Sequence, residues 1–204
     1  MTEIGKDLNL ASKILLDGGV ISFPTETVMG LGVIFDNFEA YNRLNKIKGR
    51  PEDKPYTMMV SSPNEISKYA EVDDRTKKVI DAFLPGPLTL LLKAKNNVPT
   101  WVTHNTGVIG IRVPSYPLLN ELLNLVKKPL LVPSANPSNK SPALTVDEVS
   151  IYFNDALDYI VSNDSNKELP STIVDLSKSE TKIIRVGKIQ KEEIFKITGE
   201  KLWK

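Results

Sequence analysis

The stretch Val20-Ile21-Ser22-Phe23-Pro24-Thr25-Glu26-Thr27 is a short apolar run, stopped by proline and followed by small polar residues. A run of this length, rich in Val, Ile and Phe, reads as a buried strand. The same order returns at Pro129-Leu130-Leu131-Val132, which leads into Pro133-Ser134-Ala135-Asn136. Before the first run, Leu8, Ala11, Ile14 and Leu15 recur at helical spacing and Gly18-Gly19 ends the helix. Asp36 or Asn37 can cap a second helix through about residue 45, with Phe38, Tyr41 and Leu44 on its inner face. Further strands are expected over 56–60, 88–94, 108–113, 159–161, 172–176 and 182–186. Helices are expected over 63–69, 73–83, 117–126 and 189–197. Thr145 caps another to about Phe153, with Glu148 completing a capping box. Interleaved strands and helices predict an α/β protein with a mixed, partly parallel open sheet. No long linker, repeat or low-complexity tract interrupts the 204 residues, so a single domain over 1–204 is expected.

Composition narrows the function. Hydrophobic residues make up 41% and charged residues 25%, as in ordinary globular domains. The 26 Lys and Arg nearly balance the 25 Asp and Glu, which argues against a protein that coats duplex nucleic acid through a broad basic surface. Cysteine is absent and His104 is the single histidine. Disulfides, thiolate metal sites, cysteine nucleophiles and multi-histidine metal centres are thereby excluded. No apolar run is long enough to span a bilayer, and Met1-Thr-Glu-Ile-Gly-Lys6 lacks the plan of a signal peptide. The expected location is the cytoplasm, away from membranes.

Lys48-Gly49-Arg50-Pro51-Glu52-Asp53-Lys54-Pro55 is the densest basic segment. Glycine and proline break helix, so it reads as an ordered loop on which Lys48 and Arg50 point the same way. Such a loop can clamp a polyanion or simply be solvated. The polar loops after Phe23 and Val132 lie where α/β sheets bind ligands; turn formation is their other reading. Pro24 to Gly32 is taken as loop throughout. Arg112 and Arg185 each sit in an apolar run, so each must meet a carboxylate, a phosphate or solvent. No P-loop pattern occurs, and Gly30-Leu31-Gly32 lacks the third glycine of a dinucleotide fingerprint. His104, in a loop with no obvious partner, reads as a surface histidine.

These segments together resemble the YrdC family, the threonylcarbamoyl-AMP synthases. The family's Pro-Thr-Glu-Thr-x-x-Gly-Leu-Gly looks like Pro24 to Gly32, and its Lys-x-Arg-Pro like Lys48 to Pro51. Its Pro-Gly-Pro-x-Thr looks like Pro85 to Thr89, and its apolar-Arg-x-Pro like Ile111 to Pro114. Ser-x-Asn matches Ser134 to Asn136, Ser-Thr-apolar-apolar-Asp matches Ser171 to Asp175, and a late arginine matches Arg185. Seven weak strings in the right order, over a core of about 11–187, make a strong signal. Met29, Met59, Asn139 and Val186 depart from the family's usual residues.

The resemblance implies a twisted mixed sheet flanked by helices, with a large positively charged cavity and no additional C-terminal domain. It implies joining of L-threonine, bicarbonate or CO2, and ATP into threonylcarbamoyl-AMP with release of pyrophosphate. The class is a nucleotidyltransferase acting in N6-threonylcarbamoyladenosine modification of tRNA. Lys48, Arg50, Lys54, Ser134, Asn136 and Arg185 would bind ATP. Thr25, Thr27, Arg112 and Ser171 would bind threonine. No side chain would react covalently; Lys48 and Arg50 would position and neutralise. Mg2+ would be held by ATP phosphates with no protein ligands. The product would be handed to the transferase complex of the pathway, and tRNA itself would bind weakly. Two alternatives stay open: an RNA- or tRNA-binding module, and a paralogue with a different carbamoyl-adenylate substrate.

Overall fold

The structure is a computed structural model, and it describes residues 2–49, 55–167 and 169–199. Ten strands form one sheet: β1 (Glu3–Gly5), β2 (Ile21–Phe23), β3 (Gly30–Ile34), β4 (Thr57–Met59), β5 (Leu88–Lys93), β6 (Val108–Arg112), β7 (Leu130–Val132), β8 (Tyr159–Val161), β9 (Thr172–Asp175) and β10 (Lys182–Arg185). Their spatial order is β1-β8-β2-β3-β7-β4-β6-β5-β9-β10. The β1/β8, β2/β8, β4/β6 and β5/β9 pairs are parallel, and the others are antiparallel. Among the described residues the α-helices are α1 (Leu8–Leu16), α2 (Phe38–Lys48), α3 (Ile66–Tyr69), α4 (Asp74–Phe83), α5 (Pro117–Val126), α6 (Val146–Phe153) and α7 (Lys191–Thr198). None of the described helices is long and apolar enough to cross a membrane.

The central strands are largely apolar because both faces are covered. Successive side chains alternate between two cores. Ile21, Phe23, Ile34, Met59, Leu130 and Val132 pack with Ala11 and Leu15 of α1 and Leu119, Leu122, Leu123 and Val126 of α5. Val20, Val33, Met58 and Leu131 face the other way, against α2, α4, α6 and α7. The mixed α/β sheet expected from the sequence is therefore present, and helices flank both sides.

Three expectations need correction. Gly30 to Gly32 is not loop but the start of β3, paired antiparallel with β2 at Phe23↔Gly30 and Ile21↔Gly32. Its glycines serve close packing: a Cβ on Gly32 would run into the Phe23 ring, and one on Gly30 would crowd Val132 and Phe23. Lys48 is not on an extended loop but is the last residue of α2. Gly49, at φ 57°, ends the helix in the left-handed region that favours glycine. Arg50 and Lys54 lie outside the described residues. At α6, Thr145 Oγ1 accepts from Glu148 N at 3.2 Å as expected, but Glu148 Oε2 accepts from Leu144 N at 2.6 Å, one residue upstream of a standard capping box. Strand β1 had no counterpart in the sequence reading.

Asp158 ties three elements together. It accepts Val20 N at 2.7 Å beside β2 and both terminal nitrogens of Arg43 on α2, at 2.6 and 2.9 Å. Burial alone would raise its carboxyl pKa; the Arg43 hydrogen bonds and the Val20 N–H outweigh burial and hold it below the ordinary value.

Two stability tests follow from this packing. Gly32→Ala should cost about 1–3 kcal/mol, the range for overpacking a closed core, measured by urea denaturation. Asp158→Asn should cost about 1 kcal/mol at neutral pH, allowing for its partial exposure. A carboxyl held low in the folded state contributes fully above its unfolded pKa of about 4. The difference from the parent should therefore shrink as pH falls from there through the depressed value, and a difference that persists in acid would contradict the assignment.

Candidate active site

Polar segments at strand ends converge on one cavity of about 350 Å3. Its wall includes Thr25 and Thr27 after β2, Met59 ending β4, Arg112 ending β6, Ser134 after β7, Ser171 before β9 and Arg185 ending β10. Residues from 25 to 185 meet because β4 and β6 run parallel, with Met59 opposite Arg112, while β5 and β9 place Leu88 opposite Thr172. All four residues expected to contact threonine line this cavity.

The loop after β2 is held by its own hydroxyls. Thr25 Oγ1 donates to Val28 O at 2.7 Å and accepts from Thr27 N at 3.1 Å. Val28 N donates to the same hydroxyl oxygen at 3.2 Å, and Thr27 Oγ1 lies 3.0 Å from it. A second set of bonds joins this loop to the one after β7: Ala135 N donates to Met29 O at 2.7 Å, and Met29 N to Ala143 O at 2.9 Å.

Arg112 is 5% exposed. Its Nη2 stands 2.8 Å from Glu26 Oε1, an ion-pair distance, but no N–H is aimed at that oxygen. Nε and Nη2 consequently make no hydrogen bond, and neither does Glu26 Oε2. A buried ion pair of this kind needs its geometry fixed by other bonds, and as a cation on the cavity wall Arg112 suits an anionic ligand. Arg185 donates from Nε (3.1 Å) and Nη2 (2.8 Å) to Ser171 O, and from Nη2 to Ser171 Oγ at 3.2 Å. Ser171 Oγ in turn lies 3.1 Å from Thr89 Oγ1. Among the described residues no carboxylate pairs with Arg185. Burial, and then the Arg112 cation, lower its pKa from the usual guanidinium value. Two cations facing one hollow favour an anionic occupant.

The expected nucleotide residues divide. Ser134 and Arg185 are on the wall. Lys48 and Asn136 are not; they brace it. Lys48 is 2% exposed, and its Nζ donates to Ser134 O and Asn136 O, both at 2.6 Å. Asn136 Oδ1 accepts from Ser134 Oγ at 2.5 Å, while its Nδ2 donates to Pro137 O and Lys140 O, both at 2.9 Å. Sequence reasoning assigned nothing to Glu26 or Thr89, although both fall inside quoted motifs. No local pattern pairs Glu26 with an arginine so distant in the chain. His104 is not simply a surface residue: its Nε2 lies 3.0 Å from Tyr41 Oη, and it does not line the cavity. Among the described residues, no three His, Cys, Asp or Glu side chains gather as a metal site.

A fold with such a cavity defines an anion-binding α/β protein, and comparison with known proteins supplies the family. The Sua5/YciO/YrdC family model, described as "Telomere recombination", matches residues 13–187. The chain belongs to this family. A Methanocaldococcus jannaschii relative is 38% identical over 92% of this chain and 88% of its own length. The Vibrio campbellii threonylcarbamoyl-AMP synthase is 33% identical over 89% of this chain and its full length. The Pyrococcus abyssi threonylcarbamoyl-AMP synthase is 30% identical over 95% of this chain, which spans only 57% of that relative. Among solved structures, P. abyssi Sua5 complexed with L-threonine superposes with a TM-score of 0.91 at 28% identity, covering 98% of this chain and 61% of that one. Escherichia coli YciO superposes with a TM-score of 0.83 at 26% identity, covering 93% and 98%.

The bracing role of Lys48 is testable. Lys48→Met should leave two part-buried carbonyls without their charged donor and cost about 1.5–3 kcal/mol. Urea denaturation reads the loss. Amide exchange at Ser138, whose N–H donates to Lys48 O at 2.8 Å, should accelerate relative to the sheet. An unchanged Ser138 rate would remove Lys48 from this role.

Proposed function

We propose that this chain is a threonylcarbamoyl-AMP synthase that joins L-threonine, bicarbonate or CO2, and ATP, and releases pyrophosphate. The observation that carries the reading is Arg112, held by Glu26 at the wall of a cavity that Thr27, Ser171 and Arg185 also line. Arg112 receives the threonine carboxylate. Thr27 accepts from the amino group. Ser171, held by Thr89 and Arg185, borders the same amino acid. Arg185 and Ser134 meet nucleotide phosphate, with Arg50 and Lys54 joining them on the strength of the family motif.

The chemistry needs positioning more than a reactive side chain. The threonine amine adds to CO2 and becomes an N-carboxylate. That carboxylate oxygen attacks the α-phosphorus of ATP, an O–P bond forms, and the bond to pyrophosphate breaks. Both partners are anions, so cations that offset their repulsion lower the barrier. Hydroxyls and guanidinium groups make up the polar lining, and the Glu26 carboxylate is not part of it. This donor set suits phosphate and carboxylate and offers a bare cation little. Mg2+ therefore fits as a partner of the ATP phosphates, where it neutralises charge. The product then passes to the enzyme that transfers the threonylcarbamoyl group to tRNA adenosine.

Incubation with ATP, Mg2+, bicarbonate and one amino acid at a time tests the reading. Pyrophosphate release should require threonine and bicarbonate together, with the adenylate seen by mass spectrometry. Release with another amino acid but not with threonine would make the chain a paralogue. Arg112→Lys keeps the charge but loses the planar fork; it should raise the threonine KM by about tenfold, roughly 1.4 kcal/mol of binding. A matching rise in the ATP KM would place Arg112 elsewhere.

A further inference from the structure

Glu26 has no part in the reaction just described, yet it is the carboxylate built against the cavity wall. It is 3% exposed and does not line the lumen, although Thr25 and Thr27 on either side do. Oε1 accepts Ser115 N at 3.1 Å, lies 3.4 Å from Ser115 Oγ, and stands 2.8 Å from Arg112 Nη2. Oε2 is buried without a hydrogen bond. A half-satisfied buried carboxylate adds little stability, and a hydrocarbon pair of the same volume would often do as well. Its geometric effect is larger. One carboxylate fastens the loop after β2 to the end of β6, and so sets the spacing between the Thr27 hydroxyl and the Arg112 guanidinium.

It also acts on charge. Arg112 shares its cavity with Arg185, and a nucleoside triphosphate there carries several negative charges. An arginine without a counter-ion would be drawn to the phosphates. Glu26, 2.8 Å from Nη2 and outside the cavity lining, holds Arg112 against that pull.

We propose that Glu26 is a positioning and specificity residue for the amino acid: it keeps Arg112 registered to Thr27 and prevents its capture by the nucleotide. This rests on the synthase reading above. In Glu26→Gln the threonine KM should rise by about tenfold while the ATP KM changes by less than about twofold. The mutant's threonine KM should climb further as ATP is raised, a competition absent from the parent. Glu26→Asp, charged but one methylene shorter, should recover part of the loss; it also carries the test if Glu26→Gln melts below the assay temperature. In an Arg112→Lys background, Glu26→Gln should add much less than it does alone, because both act through one guanidinium. Equal rises in both KM values, or full additivity with Arg112→Lys, would overturn the inference while leaving the synthase reading intact. A parent protein that releases no pyrophosphate with threonine would overturn both.

Discussion

A charge pair taken out of water, Glu26 with Arg112, organises one end of this cavity. Removing two ions from solvent is expensive, and their attraction offsets the expense only where the geometry is fixed by other bonds. Here the carboxylate is fixed by Ser115 N, and the strand that carries Arg112 is fixed by its pairing with β4 and β5. The apolar sheet beneath supplies the rigidity. With helices packed on both faces, the strand ends cannot drift, and the polar loops emerging from them inherit that order.

A second layer of bracing works on the other side of the hollow. Lys48, at the end of α2, spends its ammonium on two backbone carbonyls of the loop after β7. The same loop is tied by its backbone to Met29. Lys48 thus braces the loop that carries Ser134, and Ser134 lies on the cavity wall. Arg185 is likewise backed by Ser171, and Ser171 by Thr89. Each wall residue has a partner behind it, which is the arrangement that preorganised binding requires.

Much of this was legible in the sequence. Strands such as β2 and β7 announce themselves because burial on both faces makes them almost wholly apolar. Helices α4, α5 and α6 carry their caps or first-turn proline in plain view. Thr25, Thr27, Arg112 and Ser171 could be grouped through ordered motifs, and the fold does bring them together. What escaped was long-range or context-dependent. Strand β3 opens with glycines, which propensity counts as breakers; only the Phe23 ring across the pair explains them. Strand β1 is three residues at an exposed edge, too short to show a period. Lys48 looked like loop because glycine follows it, yet a left-handed glycine equally marks the residue after a helix. Glu26 lies inside a recognised string, but its partner is set by tertiary contact that no spacing rule reports.

The two cavity arginines are each anchored along one edge of the guanidinium. In Arg185 the side-on fork, Nε with Nη2, straddles the Ser171 carbonyl. In Arg112, Nη2 stands 2.8 Å from Glu26 Oε1, and both fork nitrogens are shielded from solvent. The hollow therefore presents its positive charge at fixed points rather than on swinging arms, and an entering anion meets receptors that have no rearranging left to do.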